Sequence, residues 1–330
     1  MTARRTSRTV LAQAALSGAV FIVTSSFGQT ALAQAPAPKR TELVQQKVDV
    51  YRLWAERAPG AQGDLDDETP TLTVFRPQGE RANGTAVVIA PGGAYIGLAG
   101  MLEGIEPAAW FTTRGVTAFI LEYRVGPKAR LPIPLLDGAR AIRFVRANAD
   151  AFNVDPERIG MMGFSAGGHL AATTAVDATA GEPDARDPIE RVSSRPDFLI
   201  LAYPWLEGMQ VRADGTSSYC DFAKMRGGPT CDPREYAQFR PVEHVTKAAP
   251  PTFLFHTTDD ELVPVAGTVR FYEALVSSGV PAELHAFETG SHGSGLGGRS
   301  PALSHWPELL EEWLRSRRLL PESATGPARE

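Results

Sequence analysis

Cysteine is scarce. Two in 330 residues exclude a disulfide-framework miniprotein and leave no cysteine cluster for a structural zinc site. An excess of positive charge is also missing. Lys and Arg total 33 against 38 Asp and Glu, a formal net charge of −5, so phosphates would go unneutralised and no nucleic-acid partner is expected. The chain lacks H-E-x-x-H, a Walker A loop and a G-x-G-x-x-G turn after a first strand, so neither a metal nor a nucleotide cofactor is expected. Hydrophobic residues are not lacking: at 43%, with 22% charged, they suit a globular chain with a sizeable core. There is no internal repeat and no second core-sized pattern, which points to one domain.

Past the N-terminus there is no apolar run long enough to span a bilayer. The N-terminus itself has a distinct grammar. Arg4, Arg5 and Arg8 form a basic head, residues Leu11–Val23 an apolar middle, and Ala31-Leu32-Ala33 a small-residue exit. This is the pattern of a secretory signal peptide, residues 1–33, and it implies a periplasmic or secreted protein. Ser17, Gly18 and the mostly polar run 24–30 leave too short a span for a stable membrane anchor. Cleavage after Ala33 would leave 297 residues and remove three arginines but no acids, moving the net charge from −5 to −8. An oxidising compartment would also let Cys220 and Cys231 pair within one segment; two free thiols are the alternative.

Residues 34–50 read as a flexible lead-in, and 51–318 as the domain. Strands are predicted over Thr71–Phe75, Thr85–Ala90, Val116–Tyr123, Arg158–Gly163, Phe198–Ala202, Thr252–His256 and Ala282–Phe287. Helices are predicted over Pro107–Arg114, Leu135–Phe152, Ala166–Val176, Val265–Ser278 and Ala302–Arg317. This alternation gives the α/β class, with a mostly parallel sheet covered on both faces. Residues 207–245 have no clear period and read as a cap or loop insertion. Residues 319–330 read as a loose tail.

Gly163-Phe164-Ser165-Ala166-Gly167 fits G-x-S-x-G, the turn that lifts a nucleophilic serine between a strand and a helix. Side chains at Gly163 and Gly167 would collide with the neighbouring strand and helix. In this fold the partners follow in the order acid, then histidine. Of six histidines, His169 and His244 precede any such acid, His256 and His285 lie in predicted strands, and His305 begins a helix. His292, in a glycine-rich loop after the last strand, is the candidate base. The acid belongs after strand Thr252–His256, where Asp259, Asp260 and Glu261 compete. Val87–Tyr95 is a strand ending in Gly92-Gly93. By position, the N–H groups of Gly93, Ala94 and Ala166 are the candidate oxyanion donors. Tyr95, Tyr123, Arg124, Trp205 and the Cys220–Cys231 region are candidate pocket lining; for Trp205 a core role is equally open, and for Arg124 so is a buried ion pair holding a loop.

Serine elbow, glycine loop and acid–histidine pair together resemble the α/β-hydrolases. More narrowly, Leu53-Trp54 with Ala58–Ala61, Pro70–Pro77, Pro91–Tyr95, Ile159–Ala171, and His256–Val265 with Ser291–Leu296 resemble the acetyl-xylan and feruloyl esterase-like bacterial hydrolases. The Gly92-Gly93 loop is similar to the His-Gly-Gly-Gly loop of esterases, with Pro91 and Ala94 replacing its first and last residues. The acid of such enzymes stands three residues before the Val of a Val-Pro pair, which selects Asp260, with Asp259 the runner-up. The resemblance implies a serine carboxylic-ester hydrolase acting on acylated xylan-type oligosaccharides. A prolyl-oligopeptidase-type peptidase shares the triad order but usually carries a propeller, for which there is no room. A general carboxylesterase would use the same residues, and a non-catalytic binding protein would not need them.

Overall fold

The computed structural model describes residues 49–63, 68–126, 128–225, 231–298 and 300–321. The expected signal peptide, most of the lead-in and most of the tail lie outside the described residues. Eight strands form one sheet: β1 (Asp49–Arg52), β2 (Thr71–Phe75), β3 (Ala86–Ala90), β4 (Thr117–Glu122), β5 (Ile159–Phe164), β6 (Phe198–Ala202), β7 (Thr252–Thr257) and β8 (Ala282–Phe287). Their spatial order is β1-β2-β4-β3-β5-β6-β7-β8. The β1–β2 and β2–β4 pairs are antiparallel, and every later pair is parallel.

Sequence decides which strands are central. β3 (AVVIA), β5 (IGMMGF) and β6 (FLILA) are apolar throughout and buried at every position, as strands covered on both faces must be. β2 alternates in burial, as suits a strand nearer the edge. Along β3, Val88 faces one core while Val87 and Ile89 face the other. The first core receives Ile142 and Val145 of α2 (Ile133–Ala147), Leu170 of α4 (Ser165–Val176) and Phe271 of α7 (Ala266–Ser277). The second receives Phe111 of α1 (Glu106–Thr112) and Trp306, Leu310 and Trp313 of α8 (Trp306–Ser316). There Trp306 stacks on Phe255 with ring centroids 4.7 Å apart.

Several boundaries differ from the sequence reading. β1 straddles the expected end of the lead-in: Tyr51 packs against Phe144 and Phe152 while Val50 is exposed. The expected helix 135–152 starts earlier and breaks at Asn148, whose φ and ψ of −112° and 22° leave the helical region and set off α3 (Ala149–Phe152). Leu319 and Leu320 are not loose. Both are buried, and the Leu319 carbonyl accepts bonds from Thr85 and Asn83. The aperiodic segment contains α5 (Ser218–Met225), α6 (Pro233–Tyr236) and two 3-10 turns. Among the described residues no helix is long and apolar enough to cross a membrane.

Candidate active site

Parallel strands place their following loops on one edge of the sheet, and the site is assembled there. β5 delivers Ser165 as the first residue of α4, with φ at +51°, a conformation that costs a non-glycine residue strain. The turn fits only because its neighbours lack side chains. A Cβ on Gly163 would lie 2.1 Å from the Gly167 carbonyl oxygen, and one on Gly167 would lie 2.1 Å from that of Ala90.

β8 leads into the loop that carries His292. Its Nε2 is 2.8 Å from Ser165 Oγ, and its Nδ1 is 2.7 Å from Asp260 Oδ2. Asp260 follows β7 and is held from several sides. Its Oδ1 accepts the N–H groups of Leu262 (3.0 Å) and Val263 (2.8 Å), and Oδ2 lies 3.4 Å from His256 Nε2. Burial alone would raise the Asp260 carboxyl. The bonds from His256 and His292, and the Val263 N–H, outweigh it and hold the group well below the usual carboxylate range. Asp259 points elsewhere and accepts the Gly290 N–H at 2.8 Å; Glu261 is exposed.

The remaining histidines have other partners. His169 bridges Tyr95 and the Phe239 carbonyl, and His256 bridges Thr268 and the Val263 carbonyl. His244, His285 and His305 each meet an acid, Asp177, Glu283 and Glu308 respectively.

After β3 the chain turns through Gly92 and Gly93 in a tight loop. Gly93 has φ +139°, and a Cβ there would lie 2.0 Å from the Gly97 carbonyl oxygen. The loop's own bonds use the N–H groups of Ile96, Gly97 and Ala99, and that of Gly92 donates to the Glu103 carboxylate. Among the described residues no protein acceptor takes those of Gly93 and Ala94. The N–H of Ala166 belongs to the first turn of α4, where helical partners are lacking. Ser165, His292, Gly93 and Ala94 open onto a cavity of about 220 Å³. Its far walls are Trp205, Phe222, Leu262 and Val263, with Ala99 and Glu103 alongside.

Trp205 is buried and forms part of the cavity wall. Tyr95 and Tyr123 need correction. They are buried behind the glycine loop, not among the cavity's walls. Tyr95 donates to His169, and Tyr123 donates to the Pro91 carbonyl at 2.7 Å, supporting the loop from below. Arg124 pairs with buried Asp137 at 2.5 Å and donates to the Pro59 carbonyl at 2.7 Å, so it ties down a loop. Cys220 and Cys231 are joined by a disulfide, S–S 2.06 Å. Phe222 lies between them in sequence, so the bridge closes a segment that forms one cavity wall. Phe222 falls in the Cys220–Cys231 stretch named as pocket lining from sequence, though not singled out there; Glu103 was missed. Glu103 gave no signal, because it sits in a single π-turn, Met101–Ile105.

Sheet order and serine elbow together define the α/β-hydrolase fold in its esterase form. The BD-FAE profile matches residues 72–275, and the chain belongs to that family of α/β-hydrolase esterases. It is 31% identical over 256 residues to an acetylxylan esterase of Xylanibacter ruminicola, covering 76% of this chain and 49% of the relative. It is 33% identical over 213 residues to endo-1,4-beta-xylanase B of Butyrivibrio fibrisolvens, covering 63% of this chain and 32% of the relative. The chain thus spans half or less of the length of these two curated relatives. An acetyl ester-xyloside bifunctional hydrolase from Caldicellulosiruptor lactoaceticus superposes with a TM-score of 0.74 at 35% identity, covering 83% of this chain and 97% of that one. A propionate-bound esterase from Thermogutta terrifontis gives a TM-score of 0.64 at 28% identity, covering 84% of this chain and 97% of that one.

Proposed function

We propose that this chain is a serine carboxylic-ester hydrolase that removes acetyl groups from xylan-type oligosaccharides. The observation that carries the proposal is His292 set between Ser165 Oγ and Asp260 at the mouth of a cavity offering two unengaged N–H groups. In this reading His292 Nε2 takes the Ser165 proton as Oγ attacks the ester carbonyl. The developing oxyanion sits against the N–H groups of Gly93, Ala94 and Ala166. Asp260 holds the Nδ1–H and stabilises the imidazolium. The imidazolium protonates the departing sugar oxygen, leaving an acyl ester on Ser165. A water deprotonated by His292 then releases the acid and restores the serine.

The acyl group enters an apolar cavity walled by Trp205 and Phe222, which favours a short acyl chain. The acetyl-xyloside chemistry named for two of the similar proteins supports the sugar side. Release of acetate from acetylated xylo-oligosaccharide, compared with methyl ferulate and with p-nitrophenyl esters of rising chain length, tests this. Acetate release lost in Ser165→Ala is the expected result. Faster turnover of ferulate would replace the acetyl assignment with a feruloyl one, and activity on aryl esters alone would leave a general carboxylesterase.

The same proposal places the enzyme outside the cytoplasm. The basic–apolar–small pattern of residues 1–33 and the Cys220–Cys231 bridge support it. Mass spectrometry of the exported protein is expected to find Gln34 at the N-terminus; an intact N-terminus in the cell interior would overturn export.

A further inference from the structure

Glu103 is a nearly fully buried carboxylate in a cavity whose other polar side chains are those of Ser165 and His292, and the hydrolytic steps above do not use it. Its backbone explains how it gets there. The N–H of Ile105 reaches the Gly100 carbonyl at 2.8 Å and that of Glu106 caps Met101, so a π-turn runs directly into α1. Such a turn widens the helix by one residue and re-aims the side chain within it.

The carboxylate contacts two separate parts of the site. Oε2 accepts the Gly92 N–H at 2.7 Å, at the root of the loop that presents Gly93 and Ala94. A Cβ on Gly92 would lie 2.7 Å from that same oxygen and 2.8 Å from Ser165 Cβ, so carboxylate, loop and nucleophile are packed without slack. Oε1 accepts the Tyr203 hydroxyl at 2.9 Å. That hydroxyl in turn accepts the Gly295 N–H at 2.8 Å, three residues past His292. The Tyr203 ring meets the His292 imidazole edge to face, with centroids 5.0 Å apart. Tyr203 holds this position at φ +37°, a strained value for a residue with a side chain. Gly295 sits so close to Leu102 that a Cβ would lie 2.8 Å from it, which seats the histidine loop on the π-turn itself.

We propose that Glu103 is a positioning residue that, through Tyr203, fixes the histidine loop relative to the oxyanion loop. Three parts of the reaction centre come from three distant stretches of chain, and proton transfer and oxyanion stabilisation need them in register at once. Glu103 supplies one buried acceptor group shared by two of them. Burial raises its carboxyl, while the Tyr203 and Gly92 bonds and the nearby His292 favour its charged form, in which both oxygens accept.

The proposal rests on the esterase reading, which the parent protein's turnover of p-nitrophenyl acetate and its loss in Ser165→Ala test separately. Given an active parent, Glu103→Gln and Tyr203→Phe are measured singly and combined, with kcat, KM and Tm for each. Glu103→Gln keeps the shape and one acceptor; Tyr203→Phe removes only the hydroxyl, so a folded protein is expected for at least this variant. Each single change is expected to lower kcat by roughly 10- to 100-fold, with KM changed less than about 3-fold. The double variant is expected to be no slower than the worse single variant, since both break one connection. A purely structural role would lower Tm and leave kcat of the folded fraction intact. Unchanged kcat in folded Tyr203→Phe, or losses that multiply in the double variant, would overturn the proposal.

Discussion

At the scale of single residues, the three acids after β7 show how local bonding separates side chains that sequence leaves in competition. Asp260 turns inward to His292, while Asp259 turns to the Gly290 N–H and so holds the base of the histidine loop. Ser165→Ala and His292→Ala are expected to lower kcat by on the order of 10⁵- to 10⁶-fold on p-nitrophenyl acetate. Asp260→Asn is expected to cost less, on the order of 10⁴-fold, because it spoils the imidazole's orientation and leaves the nucleophile and base in place. Asp259→Asn keeps an acceptor for Gly290 and is expected to cost under about 10-fold. If Asp259→Asn proves the more damaging of the two, the acid has been misassigned. Steady-state rates of the four variants decide it.

At the scale of elements, the elbow is a contact between a strand and a helix that tolerates no extra carbon. Gly167→Ala would drive a Cβ to 2.1 Å from a β3 carbonyl oxygen, a backbone atom that cannot swing aside. The expected loss is about 3 kcal/mol or more, at or beyond the usual upper end for overpacking, read from urea unfolding. The capping segment responds differently. Its cysteines stand 11 positions apart, and opening so small a loop is expected to cost roughly 2–3 kcal/mol of local constraint. Because Phe222 is carried inside that loop, Cys220→Ser/Cys231→Ser is expected to raise KM for short-chain esters more than it lowers kcat. Equal KM in both forms would mean that the bridge does not hold the cavity wall. These two elements also mark what sequence can disclose. β5 and α4 were legible because an unbroken apolar run, two glycines and a small-residue helix all express one packing constraint. α5 and α6 were not: at eight and four residues they have too few turns for a period to stand out in the sequence. β1 was missed because it is four residues long and keeps one face exposed. Glu103 lies in a π-turn, whose spacing matches neither a strand nor an α-helix.

At the scale of the whole molecule, the cap is joined to the hydrolase core through a histidine that must stay neutral. His169, on α4, accepts the Tyr95 hydroxyl at Nδ1 and donates Nε2–H to the Phe239 carbonyl in the capping segment. Burial pushes its imidazole down to about 4, against favourable contributions from the Phe239 carbonyl and Asp177. In the unfolded chain an ordinary histidine titrates near 6.5. Between these values the unfolded state binds the proton and the folded state does not, so stability falls as pH drops from about 6.5 towards about 4. This one group contributes a slope on the order of 1 kcal/mol per pH unit in that window. Glu103 acts with the opposite sign: its raised carboxyl adds stability at low pH and loses it as pH rises through the folded-state value. The overall curve therefore mixes the two, and the histidine's share is isolated by difference. Tm of the parent is expected to fall between pH 7 and pH 5 by several degrees more than Tm of His169→Gln, which offers the same two partners an uncharged amide. Parallel Tm curves would show that His169 takes up no proton on unfolding. A steeper curve for the parent would make acid inactivation a loosening of the cap, preceding any loss of charge at Asp260, whose carboxyl is held ionised to still lower pH.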